Sequence, residues 1–233
     1  MPSERRSTAT NDPRDQPAYG LAEAARYLKL PAATLRAWTF GRQYPTAQGK
    51  GRFRPLIQPA SRRPPLLSFS NLIEAHVLRA LRTEHGVSVK ALREAVTFAE
   101  QKLNIDRLLL RPELRADAGR MFLDRYGELI NLSASGQLAM RQVLEAHLKR
   151  VAWKDRSPVR LHPFILGDVA DAEMSIAIDP TISFGRPVVV SRGISTAAIV
   201  DRIDAGEPIA AIAADYNLSE EDTEHAVLYE RAA

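Results

Sequence analysis

Tyr19-Gly20-Leu21-Ala22-Glu23-Ala24-Ala25-Arg26-Tyr27-Leu28-Lys29-Leu30-Pro31-Ala32-Ala33-Thr34-Leu35-Arg36-Ala37-Trp38 sets the architecture of the front of the chain. Leu21, Ala24, Ala25 and Leu28 recur at the spacing of one helical face, and after Pro31 a second short segment places Leu35 and Trp38 on one side. Proline is tolerated at the start of a helix, where an N–H has no intrahelical acceptor, so Lys29-Leu30-Pro31 reads as the break between two short helices. The pattern is a helix-turn-helix in which Leu35 and Trp38 form the apolar spine that fixes the interhelical angle.

Downstream of Trp38, residues 41–65 are rich in Arg, Gly and Pro. Extended runs at Phe53-Arg54-Pro55-Leu56-Ile57 and Leu66-Leu67-Ser68-Phe69 flank the later part, which predicts one long β-hairpin, a wing. Asn71 and Glu74 have the spacing of a capping box, and Ile73, Val77, Ala80 and Leu81 line the helix that follows, ended by Gly86. Ser88 then caps a helix with the stripe Leu92, Ala95, Val96, Ala99 and Leu103, which either meets a partner helix or closes its own domain. In front of all this, residues 1–18 carry three prolines and almost no large apolar side chain, the composition of a flexible arm.

Residues 112–178 read as mixed α/β. Met121-Phe122-Leu123, a Tyr126-Gly127 turn and Leu129-Ile130-Asn131-Leu132 predict a hairpin, and Met140, Leu144, Leu148 and Val151 predict a helix, followed by a strand over 159–165. From Asp179 a short strand at Pro187-Val188-Val189-Val190 precedes three helices: one capped by Ser195 and stopped by Gly206, one opened by Pro208, and one started by Ser219-Glu220-Glu221-Asp222. The expected fold is mainly α with small β-hairpins, divided into an arm (1–18), a winged helix-turn-helix (19–111), the middle region (112–178) and a helical unit (179–233).

Charge is distributed unevenly. Residues 1–70 hold 12 basic and 4 acidic side chains, residues 71–178 hold 16 and 14, and residues 179–233 hold 4 and 10, so a net +8 head is joined to a net −6 tail. A helix after a tight turn can enter the major groove while an Arg-rich hairpin follows the backbone. Thr34, Arg36 and Arg42, on or just after the second helix, and Lys50, Arg52, Arg54, Arg62 and Arg63, on the wing, are the expected DNA contacts. For Arg36 the competing reading is a surface ion pair with Glu23. The carboxylates that open the last helix would repel phosphate, which reserves that end for protein, with Arg186, Arg192, Glu220 and Glu221 as candidate partner contacts.

Catalytic chemistry finds little support. The chain of 233 residues has no cysteine, and His76, His85, His147, His162 and His225 lack the spacing of a metal site. No phosphate-cradling glycine loop or nucleophile elbow is present, so neither an enzyme, a metal nor a cofactor is expected. The absence of an apolar run long enough for a membrane span or a secretory leader points to a cytoplasmic protein with no membrane partner.

The run Tyr19 to Leu28, then Ala33-Thr34-Leu35-Arg36-Ala37-Trp38, Phe69-Ser70 and Gly86-Val87-Ser88 resembles the winged helix-turn-helix of MerR-type regulators. Asp179-Pro180-Thr181-Ile182-Ser183-Phe184-Gly185-Arg186-Pro187-Val188-Val189-Val190, with Gly206-Glu207-Pro208-Ile209 and Tyr216 to Asp222, is similar to the DUF433 domain of small antitoxins. Together the two halves resemble VapB-type antitoxins. That resemblance implies repression of the chain's own operon through operator DNA and neutralisation of a PIN-domain ribonuclease toxin by direct binding. A homodimer is expected, because paired half-sites supply the base contacts one module lacks. The alternative is a MerR-like regulator that senses a small-molecule effector and has no toxin.

Overall fold

The computed structural model describes residues 12–46, 49–53, 55–81, 89–115, 117–129, 133–166 and 173–232. The helix-turn-helix forms where expected: α1 spans Leu21–Tyr27 and α2 spans Ala32–Phe40. Leu35 and Trp38 are buried as the spine, and the Trp38 carbonyl accepts from the backbone N–H groups of Leu56 and Ile57 at 2.7 and 3.0 Å. That bond pair ties the chain after the wing back to the end of α2.

The wing differs from expectation. Its strands are β2 (Arg42–Thr46) and β3 (Gly49–Phe53), paired antiparallel from Arg42 with Phe53 to Thr46 with Gly49. Closing so short a loop costs less chain entropy than closing one across residues 58–65. The later extended run is used elsewhere: β5 (Pro65–Leu67) lies between β1 (Tyr19–Gly20) and β4 (Ser61–Arg62) in a three-stranded sheet. Residues 12–18 are also held, since the Ala18 N–H donates to Leu67 O and the Ser70 N–H to Arg14 O, both at 2.9 Å.

Helix α3 (Phe69–Ala80) is buried on every side and is the axis of the larger core. Its cap lies three residues earlier than predicted: Ser68 Oγ accepts from the Asn71 N–H at 3.2 Å and Asn71 Oδ1 accepts from the Ser68 N–H at 3.1 Å. Ser68 wins because its hydroxyl reaches the free N–H groups of the first turn, while Asn71 reciprocates from the third position. The Gly86 and Ser88 assignments lie outside the described residues.

Helix α4 (Val89–Leu103) turns its Leu92, Ala95 and Ala99 stripe inward and packs on α5 (Asp117–Leu129) of the same chain. Helix α5 replaces the predicted hairpin. Phe122, Leu123 and Tyr126 are buried at helical spacing, and Gly127 lies within the helix rather than at a turn, where a Cβ would meet the end of the Gln137 side chain on the next helix at 2.8 Å. That helix, α6 (Ala134–Lys149), buries Met140, Leu144 and Leu148 against α3. A hairpin of β6 (Val151–Lys154) and β7 (Ser157–Leu161) follows. One apolar core runs from Tyr19 through the middle region to Ile178, so the front and middle segments pack as one body.

The C-terminal unit has a second core around Ile176, Val189, Ile199, Ile212, Ala226 and Tyr229. Its sheet is β8 (Ile176–Ala177), β9 (Val188–Val189) and β10 (Ile194–Ser195), with β9 central. The three expected helices are α7 (Thr196–Asp204), α8 (Ile209–Tyr216) and α9 (Glu220–Arg231). Ser219 Oγ accepts from the Asp222 N–H at 3.0 Å, while Ser195 occupies its cap position without a side-chain cap bond. Among the described residues no helix is long and apolar enough to cross a membrane.

Candidate nucleic-acid interface

The outer face of α2 is formed by small residues and one cation: Ala32, Ala33 and Arg36 are exposed, while Thr34, Leu35, Trp38 and Thr39 turn inward. Arg36 makes no ion pair with any described residue. Its candidate partner Glu23 is engaged elsewhere, accepting from Tyr27 Oη at 2.8 Å and from the Gly20 N–H at 3.2 Å. Small neighbours leave the guanidinium free to approach a groove without steric competition.

Arg42 is exposed at the base of the wing. Lys50 and Arg52 lie on β3 at the register positions opposite Pro45 and Gln43, and Arg54 lies outside the described residues. Arg62 and Arg63 are exposed but sit at the turn between β4 and β5, in the sheet that contains β1, not on the wing. Thr34 is only 8% exposed, set back from the surface on which Arg36 and Arg42 stand. Neither Arg42, Arg62 nor Arg63 forms an ion pair with another described residue.

The turn between α1 and α2 is held from two sides. Arg79 Nη1 of α3 donates to Leu28 O at 2.7 Å, and Tyr229 Oη of α9 donates to Tyr27 O at 3.0 Å. Lys29 Nζ lies 4.1 Å from the centroid of the Tyr229 ring and donates to Tyr229 O, and burial pushes its ammonium down to about 8 against the opposing pull of Glu230. These contacts were not visible in the sequence, where residues 27–30 and 229 are simply far apart.

At the other end, Glu220, Glu221 and Glu224 are exposed on α9, whereas Asp222 accepts from Ser191 Oγ at 2.7 Å. Arg186 is exposed, and Arg192 Nε donates to Asn217 O at 2.9 Å, which caps the end of α8. Sequence reasoning missed Phe184. It is 93% exposed in a turn where Ser183, Phe184 and Gly185 all have positive φ, of 49°, 56° and 75°. The available signal was a lone aromatic between Ser183 and Gly185 in a polar loop.

The matches to known families follow this division. Residues 17–96 match the HTH_66 family, described as "Putative DNA-binding HTH domain", and residues 176–229 match the family described as "Protein of unknown function (DUF433)". An HTH_66 module thus precedes a DUF433 module. Across both, the chain is 29% identical to "Putative antitoxin VapB45" of Mycobacterium tuberculosis, over 88% of this chain and 90% of that protein. It is 26% identical to "Uncharacterized protein Rv2308" of the same organism, over 92% and 90%. The fold is shared with the crystal structure of Rv2018 from Mycobacterium tuberculosis, at a TM-score of 0.65 and 24% identity, over 91% of this chain and 97% of that one. The HTH_66 match contains the exposed Arg36, Arg42, Arg62 and Arg63, and the DUF433 match contains the exposed Phe184, Arg186, Glu220, Glu221 and Glu224.

Among the described residues no three His, Asp or Glu side chains gather closely enough to hold a metal ion. His76 and His147 are buried in the core, His162 Nδ1 lies 3.1 Å from the carbonyls of Met174 and Ile176, and His225 Nδ1 lies 3.1 Å from Ser175 Oγ. Each is engaged in packing or a structural hydrogen bond.

Proposed function

We propose that this chain is a DNA-binding antitoxin that represses its own operon and silences a PIN-domain ribonuclease by direct binding. The observation that carries the DNA half is Arg36, exposed among alanines on the second helix of an HTH_66 module and unpaired with any described side chain. Arg42, Arg62 and Arg63, with Lys50 and Arg52 of the wing and Arg54, which follows them in sequence, supply phosphate contacts around it. The antitoxin half is supported by the relative named "Putative antitoxin VapB45", which aligns along most of both chains. The DUF433 module would carry the partner contacts, with Glu220, Glu221, Arg186, Arg192 and Phe184 as the surface groups. The protein acts as a homodimer on paired half-sites, in the cytoplasm, without a catalytic step or a cofactor.

An effector-sensing regulator without a toxin is the second reading. It is favoured by a groove of about 420 Å³ between α4 and α5, lined by Phe98, Met121, Arg120 and Arg125. Co-purification from the native host separates the two. A small nuclease that travels with the chain and loses activity on binding supports the antitoxin, and its absence supports the sensor. Affinity for DNA from upstream of the gene, measured across salt concentrations, tests the DNA half: Arg36→Ala should weaken binding by about 1–3 kcal/mol. If Arg36→Ala and Arg54→Ala change neither the affinity nor its salt slope, the contacts are misassigned.

A further inference from the structure

Lys29 breaks a local rule. The first helix of the helix-turn-helix ends in a Schellman turn, with Leu30 N–H donating to Ala25 O at 2.9 Å and Lys29 N–H to Arg26 O at 3.2 Å. The residue at the left-handed position of such a turn is usually glycine, because a side chain there costs roughly 1 kcal/mol. Here it is a lysine at φ 51°. Nothing within the helix pair accounts for a lysine in that position, since its side chain leaves the pair altogether and reaches α9 of the C-terminal unit.

What it meets there is a built socket. Tyr229 is 1% exposed, its ring faces the Lys29 ammonium at 4.1 Å, and its hydroxyl donates to Tyr27 O at 3.0 Å. The next residue, Glu230, has a side chain only 6% exposed and accepts from Arg26 Nη1 at 2.8 Å and from Thr196 Oγ1 at 2.5 Å. Tyr229 and Glu230 therefore engage Arg26, Tyr27 and Lys29, three of the four residues that end α1. The carbonyls left free at a helix C-terminus need partners, and cations near that end are favoured. On this helix α9 satisfies the Tyr27 carbonyl, just as Arg79 satisfies that of Leu28.

We propose that α9 is a positioning element for the DNA-reading helix: Tyr229 and Glu230 grip the end of α1 through Lys29, Tyr27 and Arg26 and so set the direction in which the chain enters α2. The proposal rests on the reading that α2 meets DNA. Lys29, Tyr229 and Glu230 are positioning residues and none of them needs to touch a base.

The test uses the full chain and the variants Lys29→Gly, Tyr229→Phe and Glu230→Gln. Lys29→Gly removes the Lys29–Tyr229 arm of the grip while relieving the left-handed strain, so for that arm it separates positioning from stability. Two quantities are read: amide hydrogen exchange at Lys29 and Leu30 without DNA, and affinity for duplex from upstream of the gene against a scrambled duplex at fixed salt. Expected are faster exchange at those two amides with α3 protected as before, and about a tenfold loss of affinity for the upstream duplex with the scrambled duplex unaffected. The pair Arg26→Glu with Glu230→Arg should recover part of what either change alone loses.

Unchanged exchange at the turn in all three variants overturns the proposal, as does faster exchange spread evenly over the whole chain. A parallel loss on both duplexes overturns it too. If the unaltered chain does not distinguish upstream from scrambled duplex, the DNA reading itself has failed, and exchange at Lys29 and Leu30 still decides whether α9 holds the turn.

Discussion

The imidazole rings of His76 and His147 lie 4.9 Å apart, both buried, with Arg79 and Arg150 in the same cluster, their guanidinium groups 5.4 and 4.0 Å from the centroid of the Phe164 ring. His76 Nε2 lies 3.0 Å from His147 O and His147 Nδ1 lies 2.9 Å from Val143 O, contacts that neutral rings satisfy with one N–H each. His147 Nε2 has no hydrogen-bond partner among the described residues, so a second proton there would be a buried, unpaired donor. Burial pushes His147 down to about 4 and His76 well below its ordinary value, and the two arginines push in the same direction. Because the folded values lie below the unfolded one, the stabilisation is complete above about pH 6.5 and is lost as pH falls from there. Between pH 7.5 and 5.5 each ring should cost roughly 1 kcal/mol of stability. His162, also lowered by burial, adds to the same slope. Thermal unfolding across that interval checks this, and His147→Gln should flatten the dependence.

Glu74, on the fully buried α3, faces Arg107 at 3.2 Å and accepts from Asn71 Nδ2 at 3.0 Å. Burial raises the Glu74 carboxyl and Arg107 opposes it. Removing the arginine leaves a desolvated carboxylate with one amide donor, and Arg107→Ala should cost about 2 kcal/mol, below the range for fully buried pairs because the guanidinium is half exposed. The loss should be larger at pH 8 than at pH 5. Without Arg107 the folded carboxyl rises further above its unfolded value, and the protonated form that low pH supplies needs no cation. Equilibrium denaturation at the two pH values reads this directly.

Gly185 is required by a close approach. A Cβ on it would fall 2.1 Å from Tyr19 Oη, and its φ of +75° is one that side chains rarely adopt. Gly185→Ala should therefore destabilise the chain by about 1–3 kcal/mol. Tyr19→Phe, which deletes the obstructing oxygen, should return part of that loss in the double variant while leaving the backbone strain. Additive losses in denaturant titrations would mean that the steric contact is not the cause.

Local signals in the sequence located the helix-turn-helix and the three C-terminal helices because each is written in its own residues. Leu35 and Trp38 repeat at helical spacing, and Ser219 and Pro208 mark helix starts. The hairpin predicted over residues 121–132 failed for the opposite reason. Gly127 lies inside α5 with the Gln137 side chain of the next helix against it, a tertiary neighbour that no window of sequence contains, and Tyr126-Gly127 imitates a turn. The shift of the α3 cap from Asn71 to Ser68 was a competition between two adequate caps. At the candidate interface, the exposure of Arg36 and the burial of Thr34 follow from helical phase, whereas the contacts of Lys29 with Tyr229 depend on how two units pack across 200 residues.

Phe184 offers the sharpest separation of binding from folding. Its ring is 93% exposed, so it contributes little to the core, and its φ of 56° means that the backbone is strained to hold it there. Replacing it by glycine removes the ring and the steric cost of the left-handed conformation together, while glycine adds chain entropy to the unfolded state. The two effects oppose each other, and Phe184→Gly should change stability by less than about 1 kcal/mol. An exposed aromatic of this kind is suited to serve as an anchor in a partner's pocket, where truncation costs about 2 kcal/mol or more. Pull-down of the partner with the unaltered chain and with Phe184→Gly, at matched melting temperatures, should show roughly thirtyfold weaker capture in the variant. Equal capture would remove Phe184 from the partner surface and leave Arg186 and the carboxylates of α9 as its candidates.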